Sequence, residues 1–166
     1  MRTFFRFLRL LALGCWIGAI IYFVAVVPRG AFAVLSTRDE AGLVVGHTLS
    51  GLHMMGLIAA AVFVIASLAR RKFVRAFVEP VVLGVILMAA LTAASQYVVS
   101  PRMDALRRQM GSVEATPPTD PRRAEFDRLH STSVDLEGAV LVLGLVALFL
   151  AGRDGEQVVA SLSKAP

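Results

Sequence analysis

Long apolar blocks separated by short polar segments dominate the chain, and four of these blocks have the length of a membrane span. They cover residues 8–27, 43–68, 81–99 and 133–151. A helix needs about 20 apolar residues to cross the hydrocarbon core of a bilayer. The composition agrees, since 57% of the 166 residues are apolar and the mean hydropathy is +0.71. The pattern predicts an all-α integral membrane protein with four transmembrane helices in an antiparallel up-down bundle.

The polar residues of these spans are concentrated in one half of the predicted bundle. If the spans alternate in direction, the end of the first, the start of the second, the end of the third and the start of the fourth share one side. Those ends carry Tyr22, Arg29, His47, Ser50, His53, Gln96, Tyr97, Arg102, His130, Ser133, Asp135 and Glu137. The opposite half is expected to hold little beyond Cys15, Trp16 and Ser67.

Capping signals place the helix ends. Thr37 and Glu40 have the spacing of a capping box, so the second helix is predicted to begin near residue 38. Pro80 and Pro121 each suit the first turn of a helix, where a missing N–H costs nothing. The third helix is expected to kink at Pro101 and to continue beyond the membrane, and the fourth to begin outside it. Residues 1–152 form the predicted transmembrane domain, with the first span uncleaved and ending near residue 27, and residues 153–166 a short, weakly ordered tail.

The net charge of +5 comes from basic residues that flank the spans, and the chain lacks the motifs of nucleic-acid binding. With the N-terminus in the cytoplasm, nine of the 17 lysines and arginines lie inside and eight outside. The first span usually has the most influence on orientation, so both termini are predicted to lie on the cytoplasmic side. The membrane is predicted to be a bacterial-type inner or plasma membrane. The polar half then falls in the outer leaflet.

Two carboxylates in the fourth span are the most informative candidate site residues, because an ionised carboxylate in lipid is costly. On a helix, Glu137 shares a face with His130 and Ser133, whereas Asp135 lies on another face near Arg128. This face has two open interpretations. It is either a hydrogen-bonded packing face, with Glu137 neutralised by Arg102 or Arg29, or a site for a ligand, proton or ion.

The second and third spans add His47, Ser50 and His53, together with Tyr97 and Arg102, to the same candidate polar cavity. His47 and His53 lie about 120° apart on a helix, so a shared metal would need a ligand from the fourth span. Copper, haem or chlorin could use these histidines, but the sequence requires no cofactor. The single cysteine excludes an internal disulfide.

Three blocks of the chain resemble the small four-span proteins of the transmembrane protein 205-like family. They are Val26-Val27-Pro28 with Phe32, Leu35 and Ala41-Gly42-Leu43; Pro101-Arg102 with a short basic helix; and Phe126 to His130 with Ser133. The resemblance covers residues 10–150. It implies a four-helix membrane protein without an agreed enzymatic activity. Glu137 stands where that pattern would have an Asn-like residue.

Three functions are compatible with this pattern. The first is a non-enzymatic membrane protein whose outer-leaflet polar cavity binds or passes a small solute or ion. The second is a structural or accessory subunit of a larger membrane complex, with a pigment or haem on one histidine. An intramembrane enzyme is disfavoured, because Ser131, His130 and Asp135 do not converge on one helix face. Membrane lipid, a second copy of the chain or other subunits are the expected partners.

Overall fold

A computed structural model describes residues 2–70 and 79–162, with side chains for 3–69 and 79–153, and these residues form helices joined by short connections. The elements are α1 (Arg2–Val34), α2 (Arg38–Arg70), α3 (Pro80–Ala94), a π-helical turn (Ser95–Val99), α4 (Ser100–Met110) and α5 (Pro121–Leu162). The third helix, the π-helical turn and α4 form one continuous rod. This rod, and each of the helices α1, α2 and α5, is long and apolar enough to cross a membrane. The predicted all-α multi-pass fold is therefore confirmed.

The four rods form a ring in which each packs against its two sequence-order neighbours, with α5 closing the ring against α1. Two contacts show that α1 and α2 are antiparallel. Arg9 lies over the ring of Phe63, and seven residues later Trp16 lies against Gly56, seven residues earlier in α2. We call the end of the bundle at which α1 and α3 begin the Arg9 end. The end that carries the α1–α2 turn and the α4–α5 loop is the loop end.

The core is centred on one buried stripe of α1. Leu13, Trp16 and Ile20 repeat at a spacing of three and four residues, which places them on one helix face. They pack into a single cluster with buried residues of the other rods, including Val85 of α3 and Val140 of α5. Many large apolar side chains, Ile58 and Phe149 among them, are exposed on the outward faces, as contact with lipid requires.

The predicted capping box of α2 is confirmed, and α3 and α5 begin at Pro80 and Pro121 as predicted. The Glu40 amide donates to the Thr37 hydroxyl, and the Thr37 amide donates to the Glu40 carboxylate. At the start of α5, the Arg122 amide donates to Asp120. Gly111 ends α4 with a φ of 73°, a conformation that glycine adopts without a Cβ penalty.

The predicted end of the first helix was wrong. Helix α1 continues through Pro28 to Val34, because one lost N–H bond is affordable where the adjoining turns stay helical. Helix α5 continues in its backbone to Leu162, beyond residue 152, at which the predicted transmembrane domain ends. Arg71, Lys72 and Arg75, which are among the basic residues that flank the predicted spans, lie outside the described residues.

Candidate intramembrane polar site

A chain of four polar side chains crosses the interior of the bundle between α2 and α5. His53 Nδ1 lies 2.9 Å from Gln96 Oε1, and His53 Nε2 lies 3.2 Å from Glu137 Oε2. The Gln96 amide nitrogen donates to Ser50 Oγ at 2.9 Å. We call Ser50, Gln96, His53 and Glu137 the polar chain. It joins three of the four membrane-spanning rods by side-chain hydrogen bonds.

Both titratable members of the polar chain are buried. His53 is 1% exposed and Glu137 is 8% exposed. His53 lies at the middle of the 32-residue apolar segment Arg38–Ala69 of α2. It therefore lies deep in the membrane that this segment is long enough to cross. An isolated charge there would be costly, so the two groups must share it or neutralise each other.

A π-helical turn brings Gln96 into this position. The Ser100 amide bonds to the Ser95 carbonyl five residues earlier, which widens the helix by one residue. Pro101 has no N–H, so the α-helical bond that would end on the Tyr97 carbonyl cannot form. The wider turn directly precedes this proline, and π-helical turns occur frequently at functional sites.

Two buried hydroxyls lie on the same rod as Gln96. Thr92 Oγ1 and Ser95 Oγ have no hydrogen-bond partner among the described residues. Hydroxyls in membrane helices commonly donate to the carbonyl four residues earlier, as Thr48 and Ser67 do here. The interior beside the polar chain therefore retains unused hydrogen-bonding capacity.

The structure brings together three of the nine candidate residues predicted from the sequence, Ser50, His53 and Glu137. Ser133 is buried on the same side of α5, one turn from Glu137. The other five candidates are exposed on the outside of the bundle: His47, Tyr97, Arg102, His130 and Asp135. The polar contact of the Glu137 carboxylate is with His53, whereas Arg29 and Arg102, its expected partners, are exposed.

Sequence reasoning noted Gln96 as polar but did not select it as a site residue. It also missed a second buried pair at the opposite end of the bundle. Arg9, 2% exposed, donates to Glu79 Oε1 at 2.9 Å and stacks over Phe63 at 4.6 Å from the ring centroid. The expectation that this half holds little polar chemistry was therefore wrong. A signal existed, because Arg9 falls on the buried stripe of α1, seven residues before Trp16.

The loop end is fastened to α2 by Asp39. Its carboxylate accepts hydrogen bonds from the Ser112 hydroxyl and from the amides of Val113 and Glu114. The guanidinium of Arg107 lies 5.6 Å from the centroid of the Phe126 ring and so connects α4 to α5. These contacts hold the α4–α5 loop over the end of the bundle that lies nearer the polar chain.

The fold and its buried side chains define a multi-pass α-helical membrane protein with a polar chain inside the bundle. Residues 11–112 match the family described as a domain of unknown function, DUF4149, and this match covers more than half of the chain. The chain belongs to that family. The matched region contains Ser50, His53 and Gln96 but ends before Glu137. Comparison with curated proteins and with solved structures gives no match.

Proposed function

We propose that this protein is a non-enzymatic membrane protein that binds a small cation at the polar chain. The buried contact between His53 and Glu137 is the observation that carries the proposal. Ionisable residues inside a membrane are expensive, and they commonly mark ion pathways or proton relays. A carboxylate that already lies in the interior, beside a histidine, offers negative charge to a cation without further cost of burial.

The packing favours binding over passage through the bundle. Between the polar chain and the Arg9 end, Leu13, Trp16, Val85 and Met88 are almost completely buried and pack into one apolar cluster. Close-packed cores leave few voids larger than a water molecule. A cation would therefore reach the polar chain from the loop end and return by the same route.

Two finer proposals accompany this one. With the N-terminus in the cytoplasm, the half of the membrane nearer the loop end is the outer leaflet. The cation would then come from outside the cell. The family relationship is proposed to extend to the transmembrane protein 205-like proteins, on the basis of the Pro101-Arg102 pair and the segment from Phe126 to Ser133.

Cation-dependent stability tests the proposed binding. A ligand that binds the folded state at 100 times its Kd stabilises it by about 2.7 kcal/mol. We expect a bound cation to raise the unfolding midpoint of the purified protein in nanodiscs. LiCl, NaCl and KCl are each compared with choline chloride at equal ionic strength, and a lower pH tests the proton in the same way. Glu137→Gln should abolish this response, and Asp135→Asn, which removes an exposed carboxylate of the same helix, should retain it. Identical responses of wild type and Glu137→Gln would refute the proposal.

A role as a subunit of a larger complex is the second candidate. It is supported by the exposure of His47 and His130, because their imidazoles face the surroundings of the bundle and could bind a haem or pigment shared with a partner. Gentle detergent purification followed by native mass and absorbance measurement tests it. A chromophore or a stoichiometric partner lost in His47→Gln or His130→Gln would support this role, whereas a colourless, self-contained protein would contradict it.

A further inference from the structure

We infer that the cation bound by the polar chain is a proton, and that its uptake reverses the hydrogen bonds along Ser50, Gln96 and His53. The inference rests on the proposed function, since it assigns the ligand of the same site. It follows from counting the donors and acceptors of the four side chains.

The observed hydrogen bonds require one proton more than a neutral His53 and an ionised Glu137 carry together. Gln96 Oε1 can only accept a hydrogen bond, so His53 Nδ1 must carry a hydrogen. His53 Nε2 and Glu137 Oε2, 3.2 Å apart, then need a proton between them. Whether that proton resides on the imidazole or on the carboxyl, the pair as a whole has no net charge. This is the state that burial favours.

Release of that proton leaves a second arrangement with the same three contacts. A neutral His53 would carry its hydrogen on Nε2 and donate to the Glu137 carboxylate, leaving Nδ1 as an acceptor. The Gln96 amide must then rotate so that its NH₂ group donates to Nδ1. Its carbonyl oxygen in turn accepts from the Ser50 hydroxyl. One proton leaves, the two hydrogen bonds of Gln96 break and form again in the opposite direction, and the pair becomes negatively charged.

The ligand set suits a proton better than a metal ion. Both nitrogens of His53 and one oxygen of Glu137 are already engaged, and among the described residues no three His, Cys, Asp or Glu side chains converge. Zinc requires about four ligands, and calcium or magnesium six or more. A proton requires only one lone pair and fits between atoms already in hydrogen-bond contact.

Other titratable groups on the surrounding helices are turned away from the polar chain. The groups near this level are Tyr22 on α1, His47 on α2, Tyr97 on the π-helical turn, and His130 and Asp135 on α5, and all are exposed. The α1 residues buried in the bundle here, Trp16, Ile20 and Phe23, are apolar. Proton uptake at this level of the bundle therefore falls to His53 and Glu137.

The protonation state of His53 can be measured directly. The chain has three histidines, so His47→Gln/His130→Gln leaves His53 as the only one. With ¹⁵N-labelled imidazole in liposomes, we expect Nδ1 to carry a hydrogen at low pH. It should lose that hydrogen as the pH rises, while Nε2 carries one at high pH. A His53 that keeps one tautomer at every pH at which the protein is folded would overturn the inference.

Matched variants separate the proton from other cations. Glu137→Gln can donate an amide hydrogen to Nε2, so His53 should keep its hydrogen on Nδ1 throughout. Tyr97→Phe, next to Gln96, should leave the tautomer change intact. If Glu137→Gln does not fold, Gln96→Met, which removes the acceptor of the Nδ1 hydrogen, should change the pH at which Nδ1 loses that hydrogen, and an unchanged pH would overturn the part assigned to Gln96. Spectra that respond to LiCl or NaCl at fixed pH but not to pH would overturn the proton assignment and leave cation binding in place. Spectra that respond neither to pH nor to these salts would overturn both proposals.

Discussion

The indole of Trp16 occupies the space that a side chain at position 56 would need. A Cβ built on Gly56 would lie 2.6 Å from Trp16 Cε2, closer than non-bonded carbon atoms approach one another. Trp16 is fully buried, and its ring cannot move aside without disturbing the apolar cluster around it. The absence of a side chain at Gly56 thus sets how closely α1 and α2 approach.

Gly56→Ala should therefore destabilise the bundle by about 1–3 kcal/mol, the usual cost of overpacking a well-packed core. Gly51→Ala is the matched control, because a Cβ there meets nothing within 4 Å and alanine favours a helix. Unfolding of both variants in detergent mixtures would measure the difference. Trp16→Phe combined with Gly56→Ala should recover part of the loss, and a tolerated Gly56→Ala would show that the helices can separate freely.

The ion pair of Arg9 and Glu79 gives a second prediction. Both groups are buried, and removing one partner of a buried pair costs about 3–5 kcal/mol, because the other charge is left without compensation. We expect Arg9→Met and Glu79→Gln each to lower the free energy of unfolding by this order. The double variant should lose clearly less than the sum. Additive losses would show that the two residues do not interact, and Arg102→Met, at an exposed arginine, serves as the control.

The features that were predictable from the sequence are those encoded within a few residues. Apolar runs define the four membrane-spanning helices, and the Thr37 and Glu40 box defines a helix start, because each depends on local spacing. The end of α1 was misjudged for the same reason. Pro28 is a local breaking signal, but the helix on both sides of it outweighs the one bond that proline removes.

The site depends on contacts between residues far apart in sequence, which local spacing does not encode. His53 and Glu137 are 84 residues apart, and which face of α2 meets α5 is decided by the packing of whole helices. Gln96 is further displaced by the π-helical turn, so helical periodicity alone does not give its direction. Arg9 was assigned to the interface because of its charge, although its position on an apolar stripe indicated burial.

The coupling between His53 and Glu137 gives a third prediction. His53→Leu leaves the Glu137 carboxyl buried without its partner, which costs about 1–3 kcal/mol. His47→Leu, at an exposed histidine six residues earlier, should change stability by no more than about 0.5 kcal/mol. In a double-mutant cycle with Glu137→Leu, we expect the combined loss to be smaller than the sum of the single losses. Equal effects of His47→Leu and His53→Leu would contradict the burial of the polar chain.

Asp120 should give a titration at the start of α5. The hydrogen bond from the Arg122 guanidinium, with that from the Arg122 amide, lowers the pKa of Asp120 from 3.8 to about 2. Because the folded-state pKa is lowered, its contribution to stability is complete above pH 3.8 and is lost as the pH falls through about 2. The amide resonance of Arg122 should titrate in this window. Asp120→Asn retains an N-cap and should abolish the titration, and a midpoint near 4 would contradict the bonded arrangement.

Labelling of single cysteines tests the orientation on which the outer-leaflet assignment depends. In a Cys15→Ser background, Thr119→Cys places a thiol in the exposed α4–α5 loop, and Thr3→Cys places one at the exposed start of α1. The first span usually has the most influence on orientation, so Arg6 and Arg9 should keep the start of α1 inside. A membrane-impermeant maleimide should then label Thr119→Cys in intact cells and Thr3→Cys only after permeabilisation. The opposite pattern would show that the loop end faces the cytoplasm. The polar chain would then exchange protons with the cytoplasm.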